Sequence, residues 1–295
     1  MDTARRIAIL GMTVSGLLAV LKITVGWIGH SASVTADGFE STADVFASGL
    51  VLIGLTLAQR PADKNHPYGH GRIEILSGLL LGFLLFDAGC LIAWHGFAGA
   101  GDVQTPPHSW AIWPLLVSIA AKLGLVLIKR EHGKRIGSSS LLADATNDGI
   151  DMLSGLVALG ALSLTLHYPN RFPHADHYGA FCVGLIVIGT ALRVMHETSL
   201  HLLDTMPDDQ TIKGIREAAL GVPNVKGVEK CFARKTGFKY HVDLHLEVDP
   251  EISVHVSHDI AQKVRERIRE QLPWVADVLV HVEPWQPVGT LPTAR

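Results

Sequence analysis

Carboxylates stand inside two long apolar stretches: Asp37, Glu40 and Asp44 in one, and Asp144, Asp148 and Asp151, with Asn147 among them, in the other. An ionisable group at mid-membrane costs about 2.5–3.5 kcal/mol on insertion scales, so each such residue is a candidate for function. Glu40 and Asp44 are four residues apart, as are Asn147 and Asp151, which sets each pair on one face of its helix, about one turn apart. Stacked carboxylates in low dielectric repel unless a cation or protons lie between them. Two such helices facing each other offer four oxygen-bearing side chains around a point, the geometry of a divalent cation site in a bundle core. Asp37 and Asp144, one turn ahead of each pair, are expected to cap or brace helices. Lys22, Asp87, Lys122, Arg193, His196 and Glu197 do not pair by spacing and are expected to serve packing or interfaces.

Two further clusters carry imidazole. The segment Asp63-Lys64-Asn65-His66-Pro67-Tyr68-Gly69-His70-Gly71 holds Asp63, His66 and His70 at metal-ligand spacing, with glycines that allow a tight turn. Nearer the C-terminus stand His241, His245, His255, His258 and His281, with Glu283 two residues past His281. Alternation along a strand puts His241, Asp243 and His245 opposite Val242, Leu244 and Leu246. Mixed imidazole and carboxylate suit zinc, iron or a similar transition ion.

The elements that must position these residues follow from hydropathy. Six runs approach the ~20 apolar residues that a membrane helix needs. They cover 7–28, 33–58, 73–97, 110–128, 138–166 and 177–203, the fourth stopping at the basic run 129–135. From Pro207 the pattern changes to short periodic segments: a helix over Asp209–Leu220, strands at 225–234 and 238–248, an amphipathic helix over Val254–Gln271 and a strand at 275–282. The expected fold is therefore a membrane α-helical bundle of six transmembrane helices over 1–206, followed by a small α+β (α-β-β-α-β) domain and a short tail over 207–295.

Composition agrees with that division. Of 295 residues 48% are apolar and only 18% charged, against about 25% charged in soluble proteins. A net charge of -3 gives no reason to expect nucleic acid as a partner. The first apolar run is longer than a leader's core and no small-residue cleavage site follows it, so it is expected to remain as a helix. Three cysteines, Cys90, Cys182 and Cys231, are expected to be reduced core thiols. Loop charge sets the orientation: Arg5, Arg6, Arg60, Lys64, Arg72, Lys129, Arg130, Lys134 and Arg135 fall on one side and only Arg171 on the other. Both termini and the C-terminal domain are therefore expected in the cytoplasm.

Taken together, Ala36-Asp37-Gly38-Phe39-Glu40-Ser41-Thr42-Ala43-Asp44, the His66-to-Gly71 loop, Ala143-Asp144-Ala145-Thr146-Asn147 through Asp151, and Leu202-Leu203-Asp204 resemble the cation diffusion facilitator family over essentially the whole chain. The resemblance implies a homodimer, embedded in lipid, that exports divalent metal in exchange for protons, with no organic cofactor. It implies a transport site at Glu40, Asp44, Asn147 and Asp151, a loop site at Asp63, His66 and His70, and a cytoplasmic metal site at Glu229, His245, His258, His281 and Glu283. It also implies a dimer-hinge charge pair, Arg72 with Asp204. Where many zinc-moving relatives have histidine, this chain has Asn147, so all four transport ligands offer oxygen; carboxylate and carbonyl favour harder ions, leaving zinc, manganese and iron open. Asn147 cannot titrate, so any returning proton rides on Glu40, Asp44 or Asp151. A membrane metalloenzyme is disfavoured, since no His-Glu-x-x-His stretch or nucleophile elbow is present. A metal sensor or scaffold that binds cations but moves none, and a passive channel through the same site, are the remaining alternatives.

Overall fold

The computed structural model describes residues 2–101, 106–136, 139–237 and 239–286. It divides into two units, Met1–Ile53 with Ser77–Met195, and Gly54–Leu76 with His196–Arg295.

The first unit is built from six long helices, α1 (Asp2–Ile28), α2 (Ala32–Ala58), α3 (Arg72–Gly99), α4 (Trp113–Ile136), α5 (Ser139–His167) and α6 (Ala175–Leu202), of which α2, α3 and α6 each continue into the second unit. Five of them contain stretches long and apolar enough to cross a membrane; α2, which carries Asp37, Glu40 and Asp44, is the sixth. Their large apolar side chains point outward, among them Leu17, Trp27, Phe46, Leu91 and Trp94, as expected of helices solvated by lipid tails. The interior is made of small residues instead. Ala36, Ala111, Ala158 and Ala180 pack with Val34, Leu115, Leu162 and Val183, and a Cβ added at Gly184 of α6 would meet the Ala93 nitrogen of α3 at 2.5 Å. Helices in lipid gain their contacts from such close backbone approach.

Two features depart from the sequence reading. Helix α4 does not stop at 128 but runs on to Ile136, because Lys129 in the basic run turns inward and is buried against α5. In addition, the N-terminus of α2 is held from α6: buried Asp176 accepts from Ser31 Oγ at 2.9 Å, from the Ala32 backbone N–H at 2.6 Å and from the Ser33 hydroxyl. The loop before α4 meets the end of α1 at the same place, with the His108 N–H donating to the Gly29 carbonyl at 2.9 Å. The segments at 29–31, 108 and 176, which the sequence puts in loops on one side, thus gather together.

In the second unit, α7 (Asp209–Leu220) and α8 (Val254–Gln271) pack with a three-stranded sheet of β1 (Gly227–Thr236), β2 (Lys239–Val248) and β3 (Val275–Pro284), in the order β1-β2-β3. β1 and β2 form an antiparallel hairpin, whereas β2 and β3 are parallel and joined through α8, the crossover that parallel pairing requires. β1 lies two residues later than its sequence-read limits, because Lys235 and Thr236 pair with Tyr240 and Lys239 beside Gly237 at φ +71. Along β2, Val242, Leu244, Leu246 and Val248 are buried against Ile215, Ile260, Val264 and Ile268 of the helices, which leaves His241, Asp243 and His245 on the other face. Both helices start on side-chain caps, Asp208 accepting from the Thr211 N–H and Ser253 from that of Val256. The cysteines are free thiols, but only Cys231 is in a core; Cys90 and Cys182 are exposed on α3 and α6, among the apolar side chains that face outward.

Candidate metal sites

Glu40, Asp44 and Asp151 come together between α2 and α5. Glu40 is buried at 6% exposure, and Ser154 of α5 donates to its Oε1 at 2.7 Å. Its other oxygen, Oε2, is buried with no hydrogen-bond partner among the described residues. A carboxylate oxygen left bare in an apolar interior costs free energy unless a cation or proton completes it. Asn147 lies one turn before Asp151 on α5 and is exposed, so it is not packed with the three carboxylates. The side chain of Asp144 lies outside the described residues.

The sequence left Lys22 and Lys122 without partners, but the structure pairs both. Lys22 of α1 reaches Asp37 at 2.8 Å and donates to Ser41 Oγ at 2.6 Å. Lys122 of α4 contacts Asp148 Oδ1 at 3.0 Å and Asp151 Oδ2 more closely, and Lys129 takes the other oxygen of Asp148. Buried ammonium groups need such partners because desolvation costs several kcal/mol per ion. Asp37 therefore braces α1 against α2, whereas Asp148, which spacing did not single out, is the hub of an α4–α5 network. Ser154, three residues past Asp151, was also missed; a small hydroxyl one turn from a carboxylate on an apolar helix was the available signal.

The loop residues are brought together in full. Asp63 Oδ1 accepts the backbone N–H groups of Asn65 and His66 at 2.9 and 2.7 Å, a turn that fixes the carboxylate before any ion arrives. The His66 N–H, above all, holds the Asp63 carboxyl below its ordinary range. His66 Nδ1 lies 3.1 Å from Asp63 Oδ1 and His70 Nε2 3.5 Å from Oδ2. His70 Nδ1 is 3.2 Å from the Pro61 carbonyl, so as the donor it leaves Nε2 free to act as a ligand. Gly69, at φ +82, allows the chain to turn between the two histidines.

In the C-terminal module the sheet register builds the cluster. His245 sits on the central strand directly beside His281 of β3, ring centroids 5.0 Å apart, and its Nδ1 is 2.6 Å from Glu283 Oε1. On its other side β1 is irregular: Val228 pairs with Leu246 and Cys231 with Leu244, so Glu229 and Lys230 both face His245. That bulge brings Glu229 Oε2 to 3.9 Å from His245 Nδ1. Hydrogen bonding with Glu229, then with His245, holds the Glu283 carboxyl below its usual value. His258 stays apart, exposed on α8. Among the described residues, Asp63 with His66 and His70, and His245 with His281 and Glu283, have ligand atoms all within 4.8 Å of one another.

Arg72 and Asp204 form an ion pair at 2.9 Å, both side chains about half exposed. The loop also meets the hairpin of the module: Tyr68 packs edge-on against His241, centroids 5.9 Å apart, and a Cβ at Gly71 would lie 2.5 Å from the Thr236 carbonyl.

Comparison with known proteins agrees with this fold. Residues 8–203 match the family described as cation efflux transmembrane domain, and residues 207–285 that described as cation efflux protein, cytoplasmic domain. The chain is 31% identical to metal tolerance protein C1 of Arabidopsis thaliana over 96% of its own length and 63% of the relative's. It is 33% identical to an uncharacterized transporter of Bacillus subtilis, covering 80% of this chain and 81% of that one. It is also 30% identical to the manganese efflux system protein MneS of Bacillus subtilis, covering 77% and 78%. The chain spans just under two thirds of the Arabidopsis relative, though about four fifths of the bacterial ones.

Proposed function

Because the chain belongs to the cation diffusion facilitator family of cation efflux proteins, it is an integral membrane transporter rather than an enzyme, and we propose that it moves divalent transition-metal ions out of the cytoplasm in exchange for protons. The observation that carries this reading is the Glu40, Asp44 and Asp151 group, with the bare Oε2 of Glu40 buried between α2 and α5. Asn147 joins it as the fourth oxygen ligand when α5 turns to close on the ion. Alternating access then consists of two helix pairings around one site, the metal stabilising the occluded arrangement and protons replacing it on the far side.

Manganese(II) leads among the candidate ions, since carboxylate and carbonyl oxygens suit it and the Bacillus relative is named a manganese efflux protein. Iron(II) and zinc follow. The loop set Asp63, His66 and His70 collects metal at the cytoplasmic mouth. The set Glu229, His245, His258, His281 and Glu283 senses it, with His258 brought in by movement of α8 or by the second protomer. Two copies of the module, drawn together by metal and hinged at Arg72–Asp204, form the homodimer. The packing of Tyr68 and Gly71 against the β1–β2 hairpin supports placing the loop and the module on one side of the membrane, with the termini. By charge asymmetry, that side is the cytoplasm.

The test is uptake into inverted membrane vesicles of manganese, iron, zinc, cobalt and cadmium at two imposed pH gradients. Manganese uptake that rises with the gradient is expected. Metal binding without uptake of any ion would instead favour a sensor or scaffold.

A further inference from the structure

Resting on the reading of Asp151 as a transport ligand, we propose that Lys122 is a tethered counter-ion of the site: its ammonium holds Asp151 between transport events and shifts to Asp148 when a divalent ion takes that carboxylate. Three observations carry this. Lys122 is 2% exposed and its Nζ already touches both carboxylates, which lie one turn apart on α5. Asp148 is fixed from its far side by Lys129, itself buried, so it is a seat that stays in place when Lys122 moves. The charges of this core also do not balance. Among the described residues, three buried lysines, Lys22, Lys122 and Lys129, face five carboxylates, Asp37, Glu40, Asp44, Asp148 and Asp151, an excess of acceptors that leaves room for a further cation.

A buried ammonium with one partner would be stranded whenever metal took that partner, at a cost of several kcal/mol. With two acceptors side by side it never loses its pairing. The metal therefore competes with a built-in cation rather than with solvent. That competition weakens binding and speeds release, because the ammonium returns to Asp151 as the ion leaves. A lysine acting only as a brace between α4 and α5 would do neither.

The experiment measures manganese(II) affinity by calorimetry on the purified full chain without a pH gradient, and the KM and maximal rate of manganese uptake in proteoliposomes. For K122Q, removal of a contacting unit charge is expected to tighten binding about tenfold or more and to lower KM, while the maximal rate falls. K122R keeps the charge and should restore the parent affinity. D148N removes the alternative seat and should weaken binding about tenfold. Should K122Q not give a monodisperse protein, K122M, an uncharged side chain of similar length that leaves the Asp148–Lys129 pair intact, carries the same expectation of tighter binding. Unchanged or weaker binding in the folded Lys122 variant overturns the proposal. D151N separates it from the reading beneath: if D151N leaves affinity intact, Asp151 is not a ligand, whereas loss of binding in D151N with no change in K122Q sinks only the role of Lys122.

Discussion

Asp176 gives a sharp test of how the transport helices are held. Its carboxylate, 3% exposed, accepts the Ser31 and Ser33 hydroxyls and the Ala32 N–H, so it closes the N-terminus of α2 from α6. A hydrogen bond to a charged group contributes about 1.5–3 kcal/mol, and a buried donor left without a partner costs about 1–3 kcal/mol. The positive end of the helix dipole adds up to about 2 kcal/mol in a partly buried setting. Asp176→Asn keeps one acceptor oxygen but turns an amide N–H₂ towards donors, so it forfeits one charge-assisted bond and the dipole contribution, about 2–4 kcal/mol. For a unit of this size that lowers the melting midpoint by roughly 5–15 °C. The assay is thermal unfolding of the full chain in detergent, followed by tryptophan fluorescence, with manganese uptake measured well below the midpoint. Asp176 braces α2 and touches no metal ligand, so the KM for metal should not change. A midpoint within about 2 °C of the parent would mean that the cap contributes little, and the account of how α2 is anchored would be wrong.

Three more predictions follow from the same reading. Asn147→His supplies imidazole to an oxygen site and should shift uptake from manganese towards zinc; an unchanged ratio in proteoliposomes would show that residue 147 does not select the ion. Burial, and then Arg234, hold the His241 imidazole below its ordinary value, so the unfolded chain takes up the proton first. Stability of the module is thus full above about pH 6.5 and declines as pH falls towards the depressed value, a slope that His241→Gln should flatten in hydrogen exchange of β2. Leu246→Ala, at a side chain with 0% exposure, should cost about 3 kcal/mol, exposing β2 amides to exchange while those of α3 and α6 stay protected.

Much of this architecture was legible because it depends on local pattern. Apolar run length is enough to find the membrane helices, and strict alternation over 240–246 separates the core face of β2 from its histidine face. The i,i+4 spacing picks out Glu40 with Asp44, and the short loop holds Asp63, His66 and His70 within reach of one another whatever the rest of the chain does. What the sequence hid are pairings set by packing. Lys122 and Asp151 are 29 positions apart on different helices, and Asp176 caps a helix that begins 144 positions earlier. No spacing rule joins such residues; only the packing of α4 on α5 and of α6 on α2 does. The bulge that turns Glu229 towards His245 is likewise a property of the pairing of two strands and cannot be read from either alone. The sixteen histidines first suggest zinc, yet the buried carboxylate group contains none of them. Those that cluster with carboxylates among the described residues stand in the loop and the module, so the count says little about the ion carried.

The central claim is that Glu40 and Asp151 bind the transported ion. The direct measurement is manganese flux in proteoliposomes for Glu40→Gln and Asp151→Asn, each side chain kept close to its native shape and only its charge removed, with a pH dye inside to follow protons. Both variants should reconstitute as the parent does and show neither metal flux nor the coupled proton movement. Parent-like flux in both would place the path of the ion elsewhere in the protein.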